Sequence, residues 1–89
     1  MMETAIDSRT CTDEAGDSHT FHYYLLSQEV LADHFSCENY GVKIVSSDGT
    51  YASVSGITPS QTRIMELLEL LTEHVVTPTN LPDIIEDWL

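Results

Sequence analysis

The stretch TPSQTRIMELLELLTEHVVTPTNLPDIIEDWL, residues 58–89, decides the fold that this sequence predicts. Its first half repeats large aliphatic residues at three- and four-residue steps, which places them on one face of an α-helix. Thr58 is the predicted N-cap, Pro59 suits the first helical position because it has no N–H to leave unpaired, and Gln61 completes a capping box. The pattern predicts a helix over residues 59–74. Its apolar face consists of Ile64, Leu67, Leu68, Leu71 and Val75.

A second amphipathic helix is predicted over residues 81–89, after the break at Thr77 and Pro78. Two helices with one apolar face each need an apolar surface to cover, so the preceding chain is expected to supply a sheet. The apolar residues of this helix are Leu81, Ile84, Ile85, Trp88 and Leu89.

Three strands are predicted before the helices. The first is the aromatic run of residues 21–27, which we expect to continue to Leu31 and then turn; a short helix capped by Ser27 is the alternative for residues 28–39. The second and third strands, residues 40–46 and 51–55, flank the dipeptide Asp48-Gly49.

Asp-Gly favours a two-residue hairpin because both of its positions require positive φ. This loop would pair Ile44 with Ser53, Val42 with Ser55 and Tyr40 with Ile57. The face that receives the helices would then carry Tyr40, Val42, Ile44, Tyr51 and Ile57.

The predicted fold is therefore α+β, a three-stranded antiparallel β-meander followed by two C-terminal α-helices packed on one face. Residues 1–20 are polar and cannot offset their ordering entropy by burial, so we expect them to form a flexible acidic N-terminal tail. Residues 21–89 are expected to form a single small α+β domain. A domain of this size buries a limited share of its surface, and a homodimer is one way to bury more.

The charge of the chain is unusual, because 15 acidic residues stand against 3 basic ones and the net charge is −12. Binding to phosphate groups requires lysine and arginine, so direct binding to nucleic acid or to an anionic membrane is not expected. The chain has no apolar run of membrane-spanning length and no signal-peptide pattern, and its two cysteines do not form a disulfide framework. These features favour a cytoplasmic location and leave a basic protein as a compatible partner.

The closing motif carries a resemblance to a known family. The motif is Val76-x-Pro78-x-x-Leu81-x-Asp83-Ile84-Ile85-Glu86-Asp87-Trp88-Leu89, and it follows Tyr23-Tyr24-Leu25, Tyr40-Gly41-Val42-x-Ile44 and the leucine-rich helix. Together these motifs resemble a family of short clostridial (Firmicutes) proteins known only as a domain of unknown function. The likeness spans about residues 21–89, although Pro82 lies where a variable polar residue is expected. It implies a small soluble bacterial domain, and it implies no activity.

A stripe of carboxylates is the first candidate binding site. The residues that we expect to contact a partner are Glu66, Glu69, Glu73, Glu86, Asp87 and Trp88. The carboxylates would bind a basic protein surface, or would imitate nucleic acid phosphates and so inhibit a basic protein. The simpler interpretation is a solvated helix face, with Trp88 in the core rather than exposed at an interface, where tryptophan is enriched.

A zinc site is the alternative of another class. Its candidate ligands are His19, His22, His34 and Cys37, whose two pairs have the two-residue spacing of zinc ligands. Residues three apart on a strand point to opposite faces, however, and the simpler interpretation is partly exposed histidines beside a small buried cysteine.

The sequence does not predict an enzyme. It contains no nucleophile motif and no glycine-rich phosphate loop, and its 4 glycines are not clustered. We therefore expect a non-enzymatic protein-interaction module of unknown biological role that needs no cofactor.

Overall fold

A computed structural model of the chain describes residues 1–32 and 35–89, which form one antiparallel sheet with two helices on one side. The side of the sheet that carries the helices is called the helix side below, and the other side is called the outer face. The strands lie in the order β1-β2-β3-β4. The elements are β1 (Met2–Thr12), β2 (Ser18–Ala32), β3 (Phe35–Ser46), β4 (Tyr51–Thr58), α1 (Gln61–Glu73) and α2 (Leu81–Trp88).

The prediction of three strands is wrong, because residues 2–12 form a further strand at the edge of the sheet. β1 pairs with β2 from Met2 opposite Ser27 to Thr12 opposite Ser18. An edge strand whose residues are all exposed needs no apolar alternation, since its backbone hydrogen bonds to β2 supply the pairing. The segment that composition alone marked as a tail therefore contains a strand.

The prediction that the first strand continues past residue 28 is confirmed. β2 runs to Ala32 and pairs with β3 as far as the pair Ala32–Phe35. β1 and β4 reach only Ser27 and Tyr40, respectively. Residues 28–32 and 35–39 therefore form a two-stranded ribbon that extends beyond the four-stranded part of the sheet.

The predicted register of the second hairpin is wrong by one residue. Ile44 lies opposite Ala52 and Val42 opposite Val54, not opposite the predicted serines. The cause is a three-residue loop: the N–H of Gly49 donates to the carbonyl of Ser46 at 3.0 Å, with Gly49 at φ 92°. The shift turns Ala52 and Val54 toward the helices and leaves Tyr51, which was predicted on that side, exposed on the outer face.

Helix α1 begins two residues later than predicted. The hydroxyl of Ser60 accepts a hydrogen bond from the N–H of Arg63 at 3.2 Å and so acts as the N-cap. The hydroxyl of Thr58 instead accepts from the N–H of Ser60 at 3.1 Å. The helix ends at Glu73, and Val75 follows with φ 49°, outside the helix.

The core lies between the helix side of the sheet and the two helices. The Tyr23 hydroxyl donates to the Val76 carbonyl at 2.9 Å and ties the central strand to the segment between the helices. In α2, Leu81 and Ile85 are buried, whereas Leu89 is exposed. The buried residues that contact one another are Phe21, Tyr23, Val42, Ile44, Ile64, Leu67, Leu68, Leu71, Val76, Leu81 and Ile85.

Neither of the two helices in the described part of the chain has the length and apolar character needed to cross a membrane.

Candidate functional site

A cleft of about 630 Å³ lies between the first half of β1 and one flank of α1. β1 contributes Ile6 and Asp7 to this cleft, and α1 contributes the remaining residues. The β1–α1 cleft, as it is called below, is therefore formed between the edge strand of the sheet and the helix. The residues that line it are Ile6, Asp7, Gln61, Thr62, Met65, Glu66, Leu68, Glu69 and Thr72.

A bulge in β1 places the strand side of the cleft. The pairing of β1 with β2 shifts between Ala5 and Asp7, so Ile6 has no partner residue across the strand. Asp7 pairs with the buried Tyr23 and therefore points to the helix side. The bulge thus directs an apolar side chain and a carboxylate side by side toward α1.

Arg9 fastens this part of β1 to the end of α1. Its Nε donates to the Thr72 carbonyl at 3.3 Å, and its Nη2 lies 3.2 Å from a carboxylate oxygen of Asp7. The last turn of α1 contains no basic residue of its own. A cation at this position complements the negative end of the helix dipole. Arg9 of β1 therefore supplies the positive charge that the last turn of α1 does not contain.

The helix side of the cleft follows the three- and four-residue spacing of α1. Leu68 is buried and forms the apolar floor, while Met65 is 40% exposed and forms an apolar wall opposite Ile6. Glu66 and Glu69 are exposed and stand on the rim. The cleft therefore combines an apolar floor with three carboxylates, one of which, Asp7, is already paired with Arg9.

The structure places part of the predicted acidic stripe in the cleft. Glu66 and Glu69 line it, whereas Glu73, although exposed on the same helix, does not. Glu86 and Asp87 are exposed on α2. This helix packs beside β4, at the opposite edge of the sheet from β1.

Trp88 is half-buried against the core rather than fully enclosed. The guanidinium carbon of Arg63 lies 4.5 Å from the centre of its ring, within cation–π distance. Trp88 thus connects α2 to α1 and does not line the cleft.

The predicted zinc ligands are not brought together in the described part of the chain. His19 bonds to Asp13 at 2.9 Å and His22 to Ser8 at 2.9 Å, and the two histidines point to opposite sides of the sheet. Cys37 lies on the ribbon opposite Val30, and His34 lies outside the described residues. Among residues 1–32 and 35–89 no group of three metal-binding side chains occurs, which does not favour the zinc alternative.

The contact between His19 and Asp13 joins the turn that follows β1 to the start of β2. The hydrogen bond from the ring raises the pKa of His19 above its ordinary value of 6.5. The same bond, with the N–H of Asp17, lowers the pKa of the Asp13 carboxyl. Both groups are at the surface, and their contact supports the turn.

Sequence reasoning missed the strand side of the cleft, because Ile6 and Asp7 lie in the segment predicted as a tail. A signal for β1 is present: threonines recur at positions 4, 10 and 12, and Asp13 and Gly16 then supply turn residues before the aromatic strand. Gly16 has φ 88°, and its N–H donates to the Asp13 carbonyl at 3.0 Å.

A family model described as "Family of unknown function (DUF6514)" matches residues 2–89, which include β1 as well as the domain predicted from the sequence. Neither a curated protein nor a solved structure matches the chain.

Proposed function

The chain belongs to a family of unknown function (DUF6514), and we therefore propose its role from the geometry: a non-enzymatic protein-interaction module that binds a basic peptide segment in the β1–α1 cleft. The observation that carries this proposal is the cleft itself, with an apolar floor at Leu68 and the carboxylates of Glu66 and Glu69 on its rim. This arrangement suits a segment with an aliphatic side chain for the floor and lysine or arginine side chains for the rim.

The charge of the whole molecule supports a basic partner. With a net charge of −12, the chain attracts cationic segments from a distance and repels anionic ones, which raises the association rate with a basic partner at low salt. Carboxylates at the rim then select the partner at short range. The apolar floor distinguishes a segment with an aliphatic residue from a merely basic one.

The chemistry of the lining residues supports binding rather than catalysis. The residues that line the cleft supply carboxylate, amide, hydroxyl and apolar side chains, and none of the described histidine, cysteine or lysine residues is among them. We propose accordingly that the protein is not an enzyme and that it needs no cofactor.

The location of the protein in the cytoplasm of a bacterial, clostridial host is part of the proposal. Cys11 and Cys37 are both free thiols, and their strand positions place them on opposite sides of the sheet. Free thiols are typical of proteins in a reducing compartment, where structural disulfides are rare.

The test is fluorescence anisotropy with a labelled peptide of alternating lysine and leucine. We expect the unmodified protein to bind it and the double variant Glu66→Lys/Glu69→Lys to bind about tenfold more weakly, a loss of ~1.4 kcal/mol. A second peptide, with serine in place of leucine, should also bind more weakly, since it cannot fill the apolar floor.

The matched control is Glu86→Lys/Asp87→Lys, which changes the net charge by the same amount on the other helix. This variant should retain binding to the lysine–leucine peptide. If both double variants lose affinity equally, the attraction comes from net charge alone and the cleft is not the site. If Glu73→Lys also weakens binding as strongly, the whole stripe takes part and inhibition by nucleic acid mimicry becomes the better explanation.

A further inference from the structure

We infer that two copies of this chain associate through the outer faces of their sheets, independently of the peptide site proposed above. Neither helix of the described part of the chain lies on the outer face, and the strand pairing defines its members. Residues that pair with Tyr24 or Leu26 share that face with them, as do the residues two positions further along each strand. The apolar members are Ala5, Tyr24, Leu26, Val30, Phe35, Cys37, Val45 and Tyr51.

The charge of the outer face differs from that of the rest of the molecule. Of the described residues on this face, the charged ones are Glu3 and Lys43, which form a salt bridge at 3.0 Å. The pair spans β2, since Glu3 lies in β1 and Lys43 in β3. A chain with a net charge of −12 therefore has one broad surface on which the charges of the described residues cancel.

This distribution favours a second copy as the partner. In a twofold-symmetric interface each surface meets itself, so a surface of one sign is repelled while a balanced one is self-complementary. The helix side displays Glu66, Glu69, Glu86 and Asp87 and would repel its own copy. On the outer face, the Lys43 of one copy can approach the Glu3 of the other.

The extent of the outer face matches what a stable dimer needs. Four strands spaced ~4.8 Å apart, together with the two-stranded ribbon, cover a flat area of roughly 700 Å², without the additional surface of the side chains. Standard interfaces bury about 800 Å² per partner. Aromatic residues are enriched in such interfaces, and Tyr51 and Phe35 are 66% and 67% exposed.

The ribbon adds apolar area at one end of the face. Val30 is 40% exposed, and it lies opposite Cys37 on the outer face. Because the ribbon extends beyond the four-stranded part of the sheet, neither β1 nor β4 lies beside these residues. A dimer joined at the outer faces would leave both β1–α1 clefts on its outside and so present two binding sites.

Sedimentation velocity on the full chain at micromolar concentration tests this inference. We expect a species of twice the 10.0 kDa chain mass. The variant Lys43→Glu leaves the face with like charges and should weaken self-association at least tenfold. The double variant Glu3→Lys/Lys43→Glu restores the balance and should restore the dimer.

The matched control is Gln61→Glu/Thr62→Glu, which gives the same change in net charge at exposed positions of α1 and should leave the dimer intact. Circular dichroism checks the fold of each variant. Should Lys43→Glu fail to fold, Tyr51→Glu introduces a charge at an exposed position of the same face and should dissociate the dimer.

A monomer for the unmodified chain, or a dimer that neither variant weakens, would overturn the inference. Peptide binding in the cleft should be unchanged in Lys43→Glu, which separates this result from the test of the proposed function.

Discussion

At the scale of single residues, Tyr23 makes the most consequential polar contact in the core. Its ring is fully buried on the central strand, and its hydroxyl donates to the Val76 carbonyl. Burial raises the pKa of Tyr23 to about 12. In the unfolded chain the Tyr23 hydroxyl ionises near pH 10, whereas in the folded chain it stays protonated up to about pH 12. The contribution of Tyr23 to the free energy of unfolding is therefore fully present below pH 10 and is lost as the pH rises toward 12.

Replacing Tyr23 with phenylalanine should lower the free energy of unfolding by about 1 kcal/mol, because the Val76 carbonyl is left buried without its partner. Urea denaturation measures this loss. Tyr51→Phe is the control, since that ring is 66% exposed, and it should change stability little. Equal stabilities for the two variants would show that the buried hydrogen bond contributes nothing.

The pair His19 and Asp13 provides a second prediction at this scale. Because the pKa of His19 is raised, its contribution to stability is full below pH 6.5 and is lost as the pH rises through the higher folded value. Because the pKa of Asp13 is lowered, its contribution is present above pH 3.8 and is lost as the pH falls through the lower folded value. The turn between β1 and β2 should therefore be most stable between pH 3.8 and pH 6.5.

Titration of the His19 ring signals by NMR tests the pair. Asp13→Asn should lower the pKa of His19, since it removes both the hydrogen bond and the nearest negative charge. Asp48→Asn should lower it less, because that carboxylate acts on His19 through its charge alone. A pKa of His19 that responds equally to both substitutions would contradict the contact seen here.

At the scale of elements, the pairing of β3 and β4 depends on Gly41. The register shifts between Tyr40 and Val42, and the two backbones approach so closely that a Cβ on Gly41 would lie 2.2 Å from the Val54 carbonyl oxygen. The atoms that this Cβ would meet belong to the backbone of β4, so a side chain at this position requires the strand itself to move. The glycine is therefore required by contact between backbones and not by its own φ angle.

Gly41→Ala should accordingly lower the free energy of unfolding by at least ~2 kcal/mol, as overpacking against a rigid backbone does. The comparison variant is Gly16→Ala, which has open space around it but φ 88°, and which should cost about 1 kcal/mol. Urea denaturation of both variants measures the difference. If Gly41→Ala proves no less stable than Gly16→Ala, the close approach of the strands is not a constraint.

The helices were the elements that local sequence predicted best. The apolar positions Ile64, Leu67, Leu68 and Leu71 are all buried, because a spacing of three and four residues fixes a helix face before any tertiary contact forms. The ends of α1 were predicted less well. Both Thr58 and Ser60 are capping residues, and only the folded chain shows which hydroxyl reaches the N–H at the third helical position.

At the scale of the whole molecule, the two sides of the sheet differ in charge and in covering. The helix side holds the core and displays the carboxylates of α1 and α2, while neither helix covers the outer face, whose described charged residues are Glu3 and Lys43. A basic partner on one side and a second copy on the other are therefore compatible. The peptide experiment tests the first side and the sedimentation experiment tests the second.

The spacing of residues within short segments predicted the α+β class, the two C-terminal helices and most of their buried positions, although Val75 lies outside α1 and Leu89 is exposed. The sequence also indicated an acidic surface and a hairpin at Asp48 and Gly49. The loop length was open, since Asp-Gly fits both a two-residue and a three-residue loop. The one-residue difference reverses the faces of residues 51–54, whereas Ile57, beyond the second register shift, packs against the core as predicted.

Only the tertiary structure decided the strand β1 and the cleft beside it. β1 is exposed along its whole length and forms because β2 offers a free edge, so the threonines and turn residues that mark it locally do not establish the strand on their own. The cleft then requires a bulge that turns Ile6 and Asp7 toward α1, residues more than 50 positions away in the chain. Contacts over such distances depend on pairing and packing between elements, and these are properties of the folded molecule.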